Sequence, residues 1–167
     1  QTMTCPKGHF CPSKSMFPLP CQPGSSTNSE GMLECINCTK GKVTNSMGSV
    51  ECLSCDPGFY SDVEGGTACK TCRSGSTSEE GSPSCFQCPG GQIVNNITKL
   101  CEECSEGYAC PRGASSPNIC TKGEFASKNS PECLKCEVGK YTDTFGEGEC
   151  TFCPPGTYQD GKGESKC

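Results

Sequence analysis

Seven C-x-x-C pairs punctuate the chain, at Cys35/Cys38, Cys52/Cys55, Cys69/Cys72, Cys85/Cys88, Cys101/Cys104, Cys133/Cys136 and Cys150/Cys153. Thiols at this spacing have three uses. Two such knuckles, separated as here by 12 or 13 residues, can hold a tetrahedral zinc through four thiolates. One knuckle with a low-pKa thiol at a helix start can exchange disulfides. The third use is structural bridging. Each knuckle here is shared by the loops on both sides, so grouping four cysteines around a metal orphans others. No βαβ context frames a redox pair. The expectation is structural disulfides, with no metal and no other cofactor.

The remaining reactive side chains are sparse. His9 is the only histidine, with no second ligand and no serine or cysteine nucleophile to activate, and it occupies the place that Tyr108 holds in a matching phrase. Asp62, Glu64, Asp143, Glu147 and Asp160 are acidic, yet no calcium-loop spacing joins them, so they read as solvated charge. Without paired carboxylates, a phosphate-cradling loop or a nucleophile elbow, the chain is expected not to be an enzyme. Two N-glycosylation sequons stand out, Asn37 in "NCT" and Asn96 in "NIT", so an N-linked glycan is expected.

The elements that position these residues must be short. Cysteine supplies 20 of 167 residues, beyond the roughly 8–10 % that marks a secreted disulfide scaffold. The 32 % hydrophobic fraction includes those cysteines, and there is no tryptophan. With 21 glycines and 13 prolines, no window is left for an amphipathic helix of ~10–12 residues. A net charge of −5 with interleaved signs offers no basic face for nucleic acid. No apolar run of ~18 residues could span a membrane, and "QTMTCPKGHF" lacks a leader pattern. A secreted reading therefore expects a mature or excised fragment of something longer, extracellular or at the cell surface, because dense disulfides persist in oxidising compartments.

The spacing is periodic. Ten repeats open at Cys5, Cys21, Cys38, Cys55, Cys72, Cys88, Cys104, Cys120, Cys136 and Cys153, and the third residue after each is glycine. Glycine there implies a turn with φ > 0, or a backbone passing close to a disulfide. Two positions further on, Phe10, Tyr60, Phe125, Tyr141 and Tyr158 could cover the sulfurs. A later glycine, such as Gly31, Gly48, Gly65, Gly81, Gly146 or Gly163, would turn the chain back. The phrase "CPKGHFCPSKSMFPLPC" from Cys5 recurs in spacing as "CSEGYACPRGASSPNIC" from Cys104. Residues 1–103 thus form a super-repeat of six units, and 104–167 an incomplete second copy of four.

Two disulfide schemes fit. In the sequential one Cys5 pairs with Cys11, Cys21 with Cys35, Cys38 with Cys52, Cys55 with Cys69 and Cys72 with Cys85. It continues with Cys88 to Cys101, Cys104 to Cys110, Cys120 to Cys133, Cys136 to Cys150 and Cys153 to Cys167, leaving none over. The other interleaves neighbours, for example Cys35 with Cys52 and Cys38 with Cys55, and suits the two matching phrases less well. "CDPGFYSDVEGGTACKTC" and "CPPGTYQDGKGESKC" resemble the ephrin-receptor-like cysteine-rich repeats, and are similar to the first half-module of tumour-necrosis-factor-receptor repeats. In the latter a loop of this size is closed by its own two cysteines, so the resemblance implies the sequential scheme.

The expected fold is small and disulfide-rich: an elongated tandem array of short stapled β-hairpin-like loops, with little helix and no conventional hydrophobic core. The expected role is a stiff structural or adhesive segment of a long extracellular or cell-surface protein, a spacer in a filament, stalk or coat, whose partners are other proteins including copies of itself. The alternative is a receptor ectodomain presenting a protein-binding face, for which Met16, Phe17 and Leu19 in "SMFPLP" are the candidate contact, since the matching "GASSPN" is polar.

Overall fold

Each opening cysteine leads into the same turn. In the computed structural model, which describes residues 4–167, the N–H of Phe59 donates to the carbonyl of Asp56 at 3.0 Å, and that of Lys140 to Glu137 at 3.0 Å. Glycine sits third in these four-residue turns with φ near +80°, as at Gly58 (81°) and Gly139 (80°). This is the type II turn, whose third position requires φ > 0 and whose second favours proline, here Pro23, Pro57 and Pro155.

The turn launches a strand of two or three residues, which the limb before the next opening cysteine meets. Among the described residues there are eighteen strands and no helix. β1 (His9–Phe10) pairs antiparallel with β2 (Leu19–Pro20), β3 (Ser25–Ser26) with β4 (Ile36–Asn37), β5 (Lys42–Val43) with β6 (Leu53–Ser54), and β7 (Phe59–Tyr60) with β8 (Lys70–Thr71). The fifth repeat contributes β9 (Ser76–Thr77) and β10 (Phe86–Gln87). β11 (Gln92–Val94) pairs with β12 (Cys101–Glu103), β13 (Tyr108–Ala109) with β14 (Asn118–Ile119), β15 (Glu124–Phe125) with β16 (Leu134–Lys135), and β17 (Lys140–Tyr141) with β18 (Thr151–Phe152).

A hairpin this short is not stable alone in water. Ten disulfides staple the array, each opening cysteine joined to the next cysteine along: Cys5–Cys11, Cys21–Cys35, Cys38–Cys52, Cys55–Cys69, Cys72–Cys85, Cys88–Cys101, Cys104–Cys110, Cys120–Cys133, Cys136–Cys150 and Cys153–Cys167. No cysteine among the described residues is free. The fold is thus a tandem array of disulfide-stapled hairpins. Closing a 15-residue loop is worth about 3 kcal/mol in the chain-entropy account, which compensates for the meagre apolar interior. That interior consists of the opening cysteines, nearly all buried, with Cys110, Ala109 and Ala126.

The chain divides into two compact bodies, Gln1–Arg73 with Ser78–Phe86, and Ser74–Thr77 with Gln87–Cys167. One hydrogen-bonding rule operates inside each. In the first body the N–H of Gly24 donates to Thr44 O at 2.7 Å and that of Gly41 to Ser61 O at 2.8 Å, one repeat onward. The carbonyl of Gly41 accepts from the N–H of Cys55 at 2.9 Å, and Gly65 N–H donates back to Cys38 O at 2.8 Å. In the second body Gly107 N–H reaches Ala126 O at 2.8 Å, Gly123 N–H reaches Thr142 O at 2.9 Å, and Gly163 N–H returns to Cys136 O at 2.8 Å.

A longer-range contact accompanies the ladder. A Cβ on Gly41 would collide with the carbonyl oxygen of Gly81, and one on Gly123 with that of Gly163, each two repeats onward. The glycine column therefore serves close backbone approach as well as the turn, and the backbone approached belongs to another glycine turn. At Gly139 (φ +80°) a Cβ meets nothing within 4 Å. Both Gly123→Ala and Gly139→Ala incur the left-handed cost of about 1–2 kcal/mol, and only Gly123→Ala adds overpacking of about 1–3 kcal/mol. Denaturant unfolding of the disulfide-intact chain is expected to rank Gly123→Ala as the more damaging; equal losses would remove the packing role.

Candidate interaction surfaces

Side chains with chemical potential are dispersed over the hairpins. His9 lies half-buried in β1, its Nδ1 3.2 Å from the carbonyl of Lys7. Asp62 Oδ1 lies 2.7 Å from Lys70 Nζ, both half-exposed, on one hairpin. The hydrogen bond from Lys70 holds the Asp62 carboxyl below its ordinary value, and the same bond raises the Lys70 ammonium. Glu147 accepts from Thr144 Oγ1; Glu64, Asp143 and Asp160 are exposed or half-exposed singly.

The rings two positions after the turn glycine are partly enclosed. Phe10, Tyr60, Phe125 and Tyr141 are half-buried, and Phe10 faces Leu19 across the hairpin as Phe125 faces Leu134. Cross-strand aromatic–aliphatic pairs of this kind are what hold a two-stranded ladder together. Tyr60 faces Lys70, whose Nζ stands 6.0 Å from the ring centroid. Tyr158 departs from the pattern and is exposed.

A second column escaped the sequence reading. The residue three after the turn glycine is small in most repeats: Thr27, Thr44, Ser61, Ser78, Ala126 and Thr142. These are buried, and their carbonyls receive the glycine N–H of the preceding repeat. The hydroxyls are satisfied locally, Ser78 Oγ donating to Phe59 O at 2.7 Å and Thr142 Oγ1 accepting from Gly123 N–H at 2.8 Å. The recurrence of small residues at that register was the available signal.

Positive φ at the later turn is also held where glycine is missing, by Lys14 (74°), Lys99 (59°) and Asn129 (64°). Asn96 lies exposed at the tip of the β11–β12 hairpin, with Ile97 and Thr98 also exposed. The tip is shaped by Asn95, whose Oδ1 accepts from the N–H groups of Ile97 at 2.7 Å and Thr98 at 3.0 Å. Asn37 is exposed within β4, its backbone in register with Ser25.

Met16 and Phe17 are 87 % and 72 % exposed, and Leu19 is exposed in β2. A groove of about 340 Å³ opens in the second body, lined by Ile93, Tyr108 and Pro117 with Glu102 and Glu103. Glu103 Oε2 pairs with Lys128 Nζ at 2.7 Å, and that hydrogen bond raises the lysine, aided by the charges of Glu103 and Glu106. A groove of about 470 Å³ in the first body is lined by Val43, Val50, Leu53 and Ala68, with Glu51. No helix among the described residues is long and apolar enough to cross a membrane.

Fold and surfaces together define a cysteine-rich repeat array of hairpins with exposed apolar tips. Residues 123–167 match the family described as tyrosine-protein kinase ephrin type A/B receptor-like, so the ephrin-receptor-like resemblance holds over that stretch. No curated protein matches the chain. Ten disulfides and that match suggest an extracellular or cell-surface segment that works through other proteins.

In a carboxyl NMR titration Asp62 is expected to titrate below the ordinary 3.8, and Lys70→Met to bring it back up. Any stability that the pair contributes is therefore present above the ordinary carboxyl value and lost as pH falls through the lowered midpoint. An unchanged Asp62 midpoint in Lys70→Met would show that the bond does not persist in solution.

Proposed function

We propose that the chain is a non-enzymatic structural segment of a long extracellular or cell-surface protein, a stiff spacer within a filament, stalk or coat. The observation that carries the reading is the backbone ladder: Gly41 donates to the following repeat at 2.8 Å and packs against the turn of the one after it. Such a repeat cannot rotate against its neighbour without breaking several hydrogen bonds. The disulfides set the other mechanical limit, because a loop of 13 or 14 residues closed by its own cysteines cannot be drawn out under tension. The reading is non-enzymatic because the cysteines of the described residues are closed in disulfides and the Nδ1 of His9 lies 3.2 Å from the carbonyl of Lys7. The partners of this reading are other proteins, among them copies of the same chain.

The receptor alternative is favoured by one observation, the exposure of Met16 and Phe17. Electron microscopy of the native parent protein decides between them: polymers or stalks support the spacer. Discrete particles that bind a soluble ligand, with binding lost on Phe17→Ala, support the receptor. Single-molecule stretching is expected to extend the oxidised chain to less than half the length that the reduced chain reaches at ~3.3–3.6 Å per residue.

A secreted segment meets the glycosylation machinery. Asn96 is the better acceptor, exposed on a hairpin tip, while Asn37 sits between Cys35 and Cys38 in a paired strand. Enzymatic deglycosylation of secreted protein is expected to lower its mass, and Asn96→Gln to remove most of that shift; a shift retained in full would assign the glycan to Asn37.

A further inference from the structure

Phrases of one spacing build the repeats that open at Cys5 and Cys104, so each is a control for the other. Lys14, Met16 and Phe17 correspond to Gly113, Ser115 and Ser116. Met16, at 87 % exposure, and Phe17, at 72 %, are largely free of their own chain, and the polar counterpart loop makes the same turn, Ala114 N–H donating to Pro111 O at 3.0 Å as Ser15 N–H does to Pro12 O at 2.9 Å. The apolar tip is thus not a requirement of the fold. Its surroundings are basic in sequence: Lys7 and Lys14 precede the first acidic residue, Glu30, in a chain whose net charge is −5.

The second body carries the complement. Its groove of about 340 Å³ is lined by Ile93, Tyr108 and Pro117 together with Glu102 and Glu103. Glu103 is paired with Lys128 at 2.7 Å, whereas Glu102 accepts from Asn95 Nδ2 at 2.6 Å and has no cation partner among the described residues. Two carboxylates against one ammonium leave the rim negative.

We propose that the Lys14–Leu19 loop of one copy docks in the Ile93/Tyr108/Pro117 groove of a second copy, with Lys14 toward Glu102 and Glu103. Each chain then offers one loop and one groove. Such a contact is heterologous, and repeated from copy to copy it produces rings or open filaments. Two apolar side chains and one charge cover less than the ~1,000 Å² expected of a stable interface, so the contact is weak and depends on concentration. A lipid surface is the poorer occupant, because recognition of anionic lipid takes clusters of about 4–8 basic residues and this loop brings one lysine, with Lys7 the only other before Glu30. The inference rests on the spacer reading and names its self-contact.

The test is sedimentation velocity of the disulfide-intact chain from micromolar to millimolar, with intact mass confirming all ten bridges. The expected result is a concentration-dependent rise in average mass, weakened at least tenfold in Met16→Ser/Phe17→Ser, both positions being exposed. Lys14→Glu and Glu102→Lys are each expected to weaken association severalfold, and a mixture of those two chains to recover it, since the native Lys14 loop of one meets the native groove of the other and the reversed pair completes the alternate contact. A chain monomeric at millimolar concentration, association indifferent to the loop substitutions, or failure of the mixture to recover each overturns the proposal. So does loop-dependent binding to phosphatidylserine vesicles or an unrelated protein without self-association. None of these results touches the stretching behaviour on which the spacer reading is judged, so the two fail separately.

Discussion

Two carbonyl-bearing turns can meet only where one of them has no side chain. Gly41 shows the full constraint: its positive φ makes the turn, its N–H and C=O bond to the next repeat, and its bare α-carbon admits the carbonyl of Gly81. Any other residue would lose the last of these and strain the first. The turn calls for glycine in all ten repeats, and the close approach adds to it at Gly8, Gly24, Gly41, Gly75, Gly91, Gly107 and Gly123 but not at Gly139 or Gly156. The disulfides complement this arrangement without replacing it. They limit what the unfolded chain can do, whereas the glycine contacts decide how one folded hairpin lies on the next.

With backbones this close, bulky apolar side chains have no interior to occupy. Buried positions go to half-cystines and to small residues such as Ser61, Ser78 and Thr142. A hydroxyl taken out of water costs free energy unless it is bonded, and Ser78 and Thr142 meet that requirement against backbone groups of adjacent hairpins. Larger apolar residues are displaced outward: Ile36, Leu53, Ile119 and Phe152 all remain exposed on the second strands of their hairpins. Exposure of any one of them is therefore a product of the architecture and no evidence of binding. That is why the contrast between Met16–Phe17 and Ser115–Ser116, two loops under the same architectural demand, carries more weight than exposure itself.

What sequence reveals about this fold follows from which constraints are written in side chains. The turn glycines, the hairpin period and the dearth of helix are legible because glycine, proline and cysteine each leave a single-residue mark at fixed spacing. The aromatic column is legible as a column, but the sequence reading set its rings over the sulfurs, and the cross-strand partners Leu19 of Phe10 and Leu134 of Phe125 come only with the register. The column from Thr27 to Thr142 is harder to see, because smallness is shared by serine, threonine and alanine and no one letter repeats. Lys14 and Lys99 are hardest: they adopt the left-handed backbone demanded by the turn while their side chains announce nothing of it, whereas Asn129 is of a type that tolerates it. Surface pairs such as Asp62 with Lys70 depend on which strands face each other and emerge only with the register.

The repeat from Cys88 to Cys101 tests how far the rule bends. It lacks the later glycine, places its positive φ at Lys99, and lengthens its strands to three residues in β11 and β12. Thr77 Oγ1 donates to the carbonyl of Lys99, so a side chain supplies a link that backbone supplies elsewhere. At the tip of this longer hairpin Asn95 Oδ1 accepts from the N–H groups of Ile97 and Thr98, so the exposed residues 96–98 are shaped by local hydrogen bonds. Local construction frees that tip from the close packing that excludes side chains at the glycine turns. A bulky appendage on Asn96 would therefore disturb no contact between repeats, whereas the same appendage at a glycine turn would separate three of them.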